Sequence, residues 1–102
     1  MAIRPKTTVH EVTGEEVEYW VAEGLGDALM GYGEQAGQTV AVYDYEQCLK
    51  IFMTRDGMDR EEAAEHMSYN VAGTSLPGKT PVFLERFTPE DTEALRRPAG
   101  WA

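Results

Sequence analysis

Two capped helices joined by a tight corner constrain this chain more than any other feature. Asp44 stands at an N-cap with Gln47 three residues on, the spacing of a capping box. Tyr45, Cys48, Leu49, Phe52 and Met53 then recur on one helical face, while Glu46, Lys50 and Arg55 fall elsewhere. Asp56-Gly57 ends that helix, with Gly57 suited to the left-handed cap. Asp59 opens a second helix with Glu62 as its box partner, and Met58 is placed to staple onto Ala63. Ala63, Ala64, Met67 and Val71 give its apolar face. A joint this short predicts a helical hairpin or a bent corner.

Around this unit the pattern changes period. Ala28–Tyr32 and Gln38–Tyr43 read as two strands, with Gly33–Gly37 as the turn between them. Val82–Phe87 reads as another strand. Thr88-Pro89-Glu90-Asp91 spells a helix start, Arg96 and Arg97 sit at its far end, and Pro98 stops it. Near the N-terminus, Thr13 and Glu16 have capping-box spacing. Val17, Trp20 and Val21 follow at i, i+3, i+4, which predicts a helix over about 14–23, ended by Gly24 and Gly26. Residues 1–9 are expected to be a flexible tail or an edge strand, and 98–102 a C-terminal tail. The expected fold is α+β: one domain over residues 10–97, with a small, at least partly antiparallel sheet of about three strands. That sheet packs against the helical hairpin, with short helices at either end.

Charge narrows the partners. Of 102 residues, 18 are Asp or Glu and 9 Lys or Arg, a net charge of −9. Residues 10–47 hold nine acids and no Lys or Arg, so the whole excess sits in the first half. Such a surface repels nucleic acid and anionic membranes, and two readings of it stay open: a soluble, well-solvated face, or a face that attracts a basic partner. The segment MAIRPKTTVHEV has no apolar core or cleavage signature, no apolar run is long enough to span a bilayer, and Cys48 is the single cysteine. These features lead us to expect a cytoplasmic protein.

The string Gly73-Thr-Ser-Leu-Pro-Gly78-Lys79-Thr80 satisfies the phosphate-loop pattern G-x-x-x-x-G-K-[ST]. That loop works only where a strand feeds it and a helix leaves it, so that amides and helix N-terminus face the phosphates. Here a helix precedes and a strand follows, and the match reads as a Gly/Pro turn with a solvated Lys79. Glu62 and His66 are i, i+4 on one helix and reach at most two ligand positions of a metal, short of the three or four a zinc site needs. Asn70 suits backbone bonding near the helix end. Cys48 lies on the apolar stripe and reads as a buried thiol. Trp20 reads as core, and Trp101 as a residue that docks on its own domain or on a partner. No catalytic set, metal or cofactor is expected.

The run Gly26-Asp27-Ala28-Leu29-Met30-Gly31, with Val42-Tyr43-Asp44, Cys48-Leu49, Asp56-Gly57-Met58-x-x-Glu61-Glu62-Ala63-x-Glu65, Tyr69-Asn70-Val71-x-Gly73 and Thr80-Pro81-Val82-Phe83, resembles a group of small uncharacterised proteins. They are encoded in phage and prophage genomes and in bacterial chromosomes. The resemblance covers residues 24–87 and implies no activity. In that group the loop after the Asn more often reads G-x-x-x-G-x-x-T-P, and this chain departs from it at Leu76-Pro77-Gly78-Lys79, so the resemblance implies an incidental Lys79.

These readings lead us to expect a small, acidic, non-enzymatic protein-interaction module, phage-encoded and binding a host protein through Glu15, Glu16, Glu18 and Glu23. The alternative is a ligand- or metal-binding protein or enzyme that uses Glu62, His66, Asn70 and the Gly73–Lys79 loop with Lys79. A nucleic-acid mimic built on the acids of residues 11–46 is a further reading. A homo-oligomer, permitted by Tyr19, Tyr32 and Tyr69, is another.

Overall fold

The computed structural model describes residues 2–73 and 79–96. The elements run β1 (Ile3–Val9), β2 (Glu16–Ala22), a 3-10 turn (Gly26–Ala28), β3 (Leu29–Gln35), β4 (Gln38–Asp44), α1 (Tyr45–Arg55), α2 (Arg60–Gly73), β5 (Val82–Leu84) and α3 (Pro89–Arg96). The fold is α+β, as expected. The sheet is mixed and has five strands rather than about three, in the order β1-β2-β4-β3 with β5 also on β4.

One extra strand lies where a helix was expected, and the other, β1, where a tail or an edge strand was expected. Residues 16–22 are β2, not a helix. Along Glu16-Val17-Glu18-Tyr19 the exposed acids alternate with half-buried apolar residues, the period of a strand. A helix of about ten residues has little stability without tertiary packing. Here Ile3–Val9 offers an antiparallel partner over seven residue pairs, from Ile3–Ala22 to Val9–Glu16. Thr13 does not cap a helix. Its hydroxyl accepts from Glu15 N inside the β1–β2 connection, where the His10 Nδ1 also accepts from Val12 N and Thr13 N.

The β3–β4 hairpin forms as expected but turns more tightly. Gln35 pairs with Gln38, so the loop is only Ala36-Gly37. Both residues have positive φ, 51° and 78°. That is the signature of a type I′ turn, whose twist matches the strands it joins.

Because β3 fills one edge of β4 from Gln38 to Tyr43, β2 and β5 share the other edge. β2 meets β4 in parallel at Trp20–Val40, and β5 takes over in parallel at Val42–Asp44. β2 therefore peels away after Trp20. At the split the Tyr43 hydroxyl accepts from Ala22 N (2.9 Å) and donates to Ala22 O (3.0 Å), in place of the missing ladder bonds.

The helices follow the sequence reading closely. Gln47 N donates to the Asp44 carboxylate, and the Asp59–Glu62 box is reciprocal, at 2.8 and 3.3 Å. Gly57 has φ 69°, and Phe52 O accepts from both Asp56 N and Met58 N as α1 ends. Thr88 caps α3 through Asp91 N. Cys48, Leu49 and Phe52 of α1 and Ala63 and Met67 of α2 form one apolar cluster with Val21, Ala41 and Tyr43 of the sheet. Trp20, expected in the core, is only half-buried. Pro98, Trp101 and the centre of the phosphate-loop match lie outside the described residues.

Candidate functional site

The helix residues singled out from the sequence have structural partners. The Glu62 carboxylate accepts from Asp59 N and so belongs to the start of α2. His66 sits edge-on to Phe52, with ring centroids 4.6 Å apart, and braces α2 on α1. Asn70 Nδ2 donates to His66 O at 2.8 Å, one turn back along the helix. Lys79 stands apart from all three, its ammonium 4.7 Å above the Trp20 ring of β2. The phosphate-loop string is entered from α2 and followed by β5, the opposite order to that of a nucleotide-binding loop. Among the described residues, no three His, Cys, Asp or Glu side chains converge where a metal could be held.

Cys48 is fully buried. Desolvation, reinforced by the Asp44 charge, pushes its thiol up from 9.0 to about 11. The thiolate that a nucleophile requires is thereby disfavoured at neutral pH.

The acids expected to meet a partner lie on the β1–β2 part of the sheet and are all exposed. Glu15 precedes β2. Glu16 and Glu18 share one face of it, two residues apart. Glu23 follows β2 and is held by Arg4 at 2.8 Å, so it is partly neutralised. Glu11, Glu15, Glu16, Glu18, Asp27 and Glu34 are exposed and make no ion pair with a described residue. The remaining acids of the base-free stretch are paired: Asp44 with Arg86 at 3.1 Å and Glu46 with Arg60 at 2.6 Å.

The opposite face of the sheet carries a feature that the sequence did not reveal. The rings of Tyr19 on β2 and Tyr32 on β3 stack at 5.7 Å across β4, where Tyr32 pairs with Ala41. Beside them Lys6, Tyr19, Val21, Leu29 and Tyr43 line a concavity of about 520 Å³. Its existence depends on β1 pairing with β2, which reading 14–23 as a helix conceals.

Comparison with protein-family models, curated proteins and solved structures finds no match.

Proposed function

We propose that this chain is a small non-enzymatic protein-interaction module of the cytoplasm that binds a basic surface on a partner protein. The observation that carries the reading is the set of exposed carboxylates, led by Glu15, Glu16 and Glu18 around β2, that make no ion pair with a described residue. An acid that serves the fold is usually paired or capping, as Glu46, Glu62 and Asp44 are. Six acids without such a role, in a stretch free of Lys and Arg, create a negative field that steers a cationic partner. The resemblance to small phage and prophage proteins supports a host protein as that partner.

Affinity capture from a lysate of the source cell, at low and high salt, tests the proposal. The wild-type chain should retain one near-stoichiometric protein at low salt. It should lose that protein at high salt and in the Glu15→Gln/Glu16→Gln/Glu18→Gln variant. Capture indifferent to both salt and the triple substitution would overturn the acidic-face reading.

A further inference from the structure

Along the path β1-β2-β4-β3 the two outermost strands are built differently, and β5 (Val82–Leu84) adds a short third edge on β4. β1 forms one edge with Arg4-Pro5-Lys6 in its first half. Proline offers no N–H, and cationic side chains discourage strand addition. β3 forms the other edge, and among the described residues its hydrogen-bonded neighbour is β4 alone. It has no Pro, Lys or Arg, and it exposes Leu29 (40%), Met30 (46%) and Tyr32 (40%).

The register shows which backbone groups are open. Gln35 and Gln38 close a two-residue loop and so exchange both hydrogen bonds. Alternation then turns Gly33 and Gly31 toward Val40 and Val42. The N–H and C=O of Tyr32 and Glu34 face outward.

We propose that this edge pairs with β3 of a second copy of the chain, antiparallel about a twofold axis at Tyr32. The edge is self-complementary in that register. Tyr32 meets Tyr32 of the second copy and exchanges two hydrogen bonds with it, while Glu34 falls opposite Met30, where β3 bulges against β4 and regular pairing ends. The two Glu34 side chains lie four residues apart along the ladder, about 14 Å at roughly 3.4 Å per residue. That separation exceeds the Debye length of about 8 Å at physiological salt. Tyr32 also lines a concavity with Val9 and Val12, 63% and 88% exposed, and with His10 and Glu11, so the surface beside the pairing edge is part apolar and part charged. Pairing β3 with β1 of another copy would meet Pro5 and would extend without closing, whereas the twofold contact closes on itself. One strand makes a small interface, so the expected association is weak, about micromolar or weaker.

The proposal stands apart from the acidic-face reading, because salt moves the two in opposite directions. Each copy carries a charge of −9, so screening strengthens the dimer and weakens a basic partner's hold. Sedimentation velocity of the purified full chain over a concentration series, at low salt and at about 0.3 M salt, should show a monomer–dimer equilibrium favoured by salt. Amide hydrogen exchange should slow at Tyr32 and Glu34 as concentration rises. Glu34→Pro removes an outward N–H without removing a bond to β4, and Tyr32→Lys places a charge on the axis. Each should raise the dissociation constant about tenfold or more. If Glu34→Pro loses the native circular dichroism, Tyr32→Lys decides alone. A monomer at every concentration, or a dimer in which these two amides exchange as freely as in the monomer, would overturn the proposal.

Discussion

Tyr43 shows how much one hydroxyl can hold. Its ring stacks on Phe83 of β5 at 5.6 Å, and its oxygen satisfies both backbone groups of Ala22 where β2 leaves β4. Tyr43→Phe keeps the ring and orphans a buried donor and a buried acceptor. It should cost about 1–3 kcal/mol in denaturant unfolding. Burial also raises the pKa of this phenol above its usual 10.0, as it raises that of the Cys48 thiol from 9.0 to about 11. Both groups are neutral when protonated, and the fold favours that form. Their contribution is therefore complete below the unfolded-state values and is lost as pH climbs through the folded ones. Stability should fall between about pH 9 and 11, and Cys48→Ala should flatten that slope. A thiol reagent at neutral pH should label Cys48 no faster than the chain unfolds. Ala36 offers the opposite lever. A φ of 51° costs a non-glycine residue roughly 1 kcal/mol, and Asn tolerates it better. Ala36→Asn, which makes the Asn-Gly pair favoured in type I′ turns, should raise the unfolding free energy by about 0.5–1 kcal/mol.

At the scale of elements, what was legible is what is decided locally. The starts of α1, α2 and α3 are written in Asp44, Asp59 and Thr88 and the end of α1 in Gly57, because a cap needs a particular residue within three positions of particular backbone groups. Asp59→Ala should therefore cost about 1 kcal/mol, read as a lower urea midpoint. Glu46 and Arg60 add a link between α1 and α2, with two hydrogen bonds between the side chains at 3.0 and 2.6 Å. The Arg60 hydrogen bond holds the Glu46 carboxyl below its usual range, so this link is present above the ordinary carboxylate range and is lost on acidification. β2 was not legible, because Glu16–Ala22 satisfies both periods. Val17, Trp20 and Val21 fit a helix, while Val17, Tyr19 and Val21 fit a strand, and the choice is made by β1, a partner remote from any cap. The same holds for the candidate site. Glu62 and His66 are neighbours on a helix in any fold, but only the fold shows that their side chains serve the cap and Phe52. The edge of β3 becomes visible only once the strand order is known.

For the whole molecule the relevant quantity is where the net charge of −9 sits. Asp44 and Glu46 lie against Arg86 and Arg60, and Glu23 against Arg4. Glu11, Glu15, Glu16 and Glu18, by contrast, crowd the β1–β2 connection and the start of β2 and make no ion pair with a described residue. Like charges held together in the fold are farther apart in the unfolded chain, so their repulsion opposes folding and salt relieves it. The melting temperature should rise as sodium chloride is raised from about 0.01 to 0.3 M, where the Debye length shrinks from roughly 30 Å to below 8 Å. Glu15→Gln/Glu16→Gln/Glu18→Gln should melt higher than the wild type at low salt, with a smaller salt response. Such a variant, more stable yet unable to retain the partner, would mark these carboxylates as kept for binding at the expense of stability. A triple variant that melts lower at every salt concentration would instead mean that the acids make contacts the fold depends on, and the acidic surface would lose its claim to be a binding face.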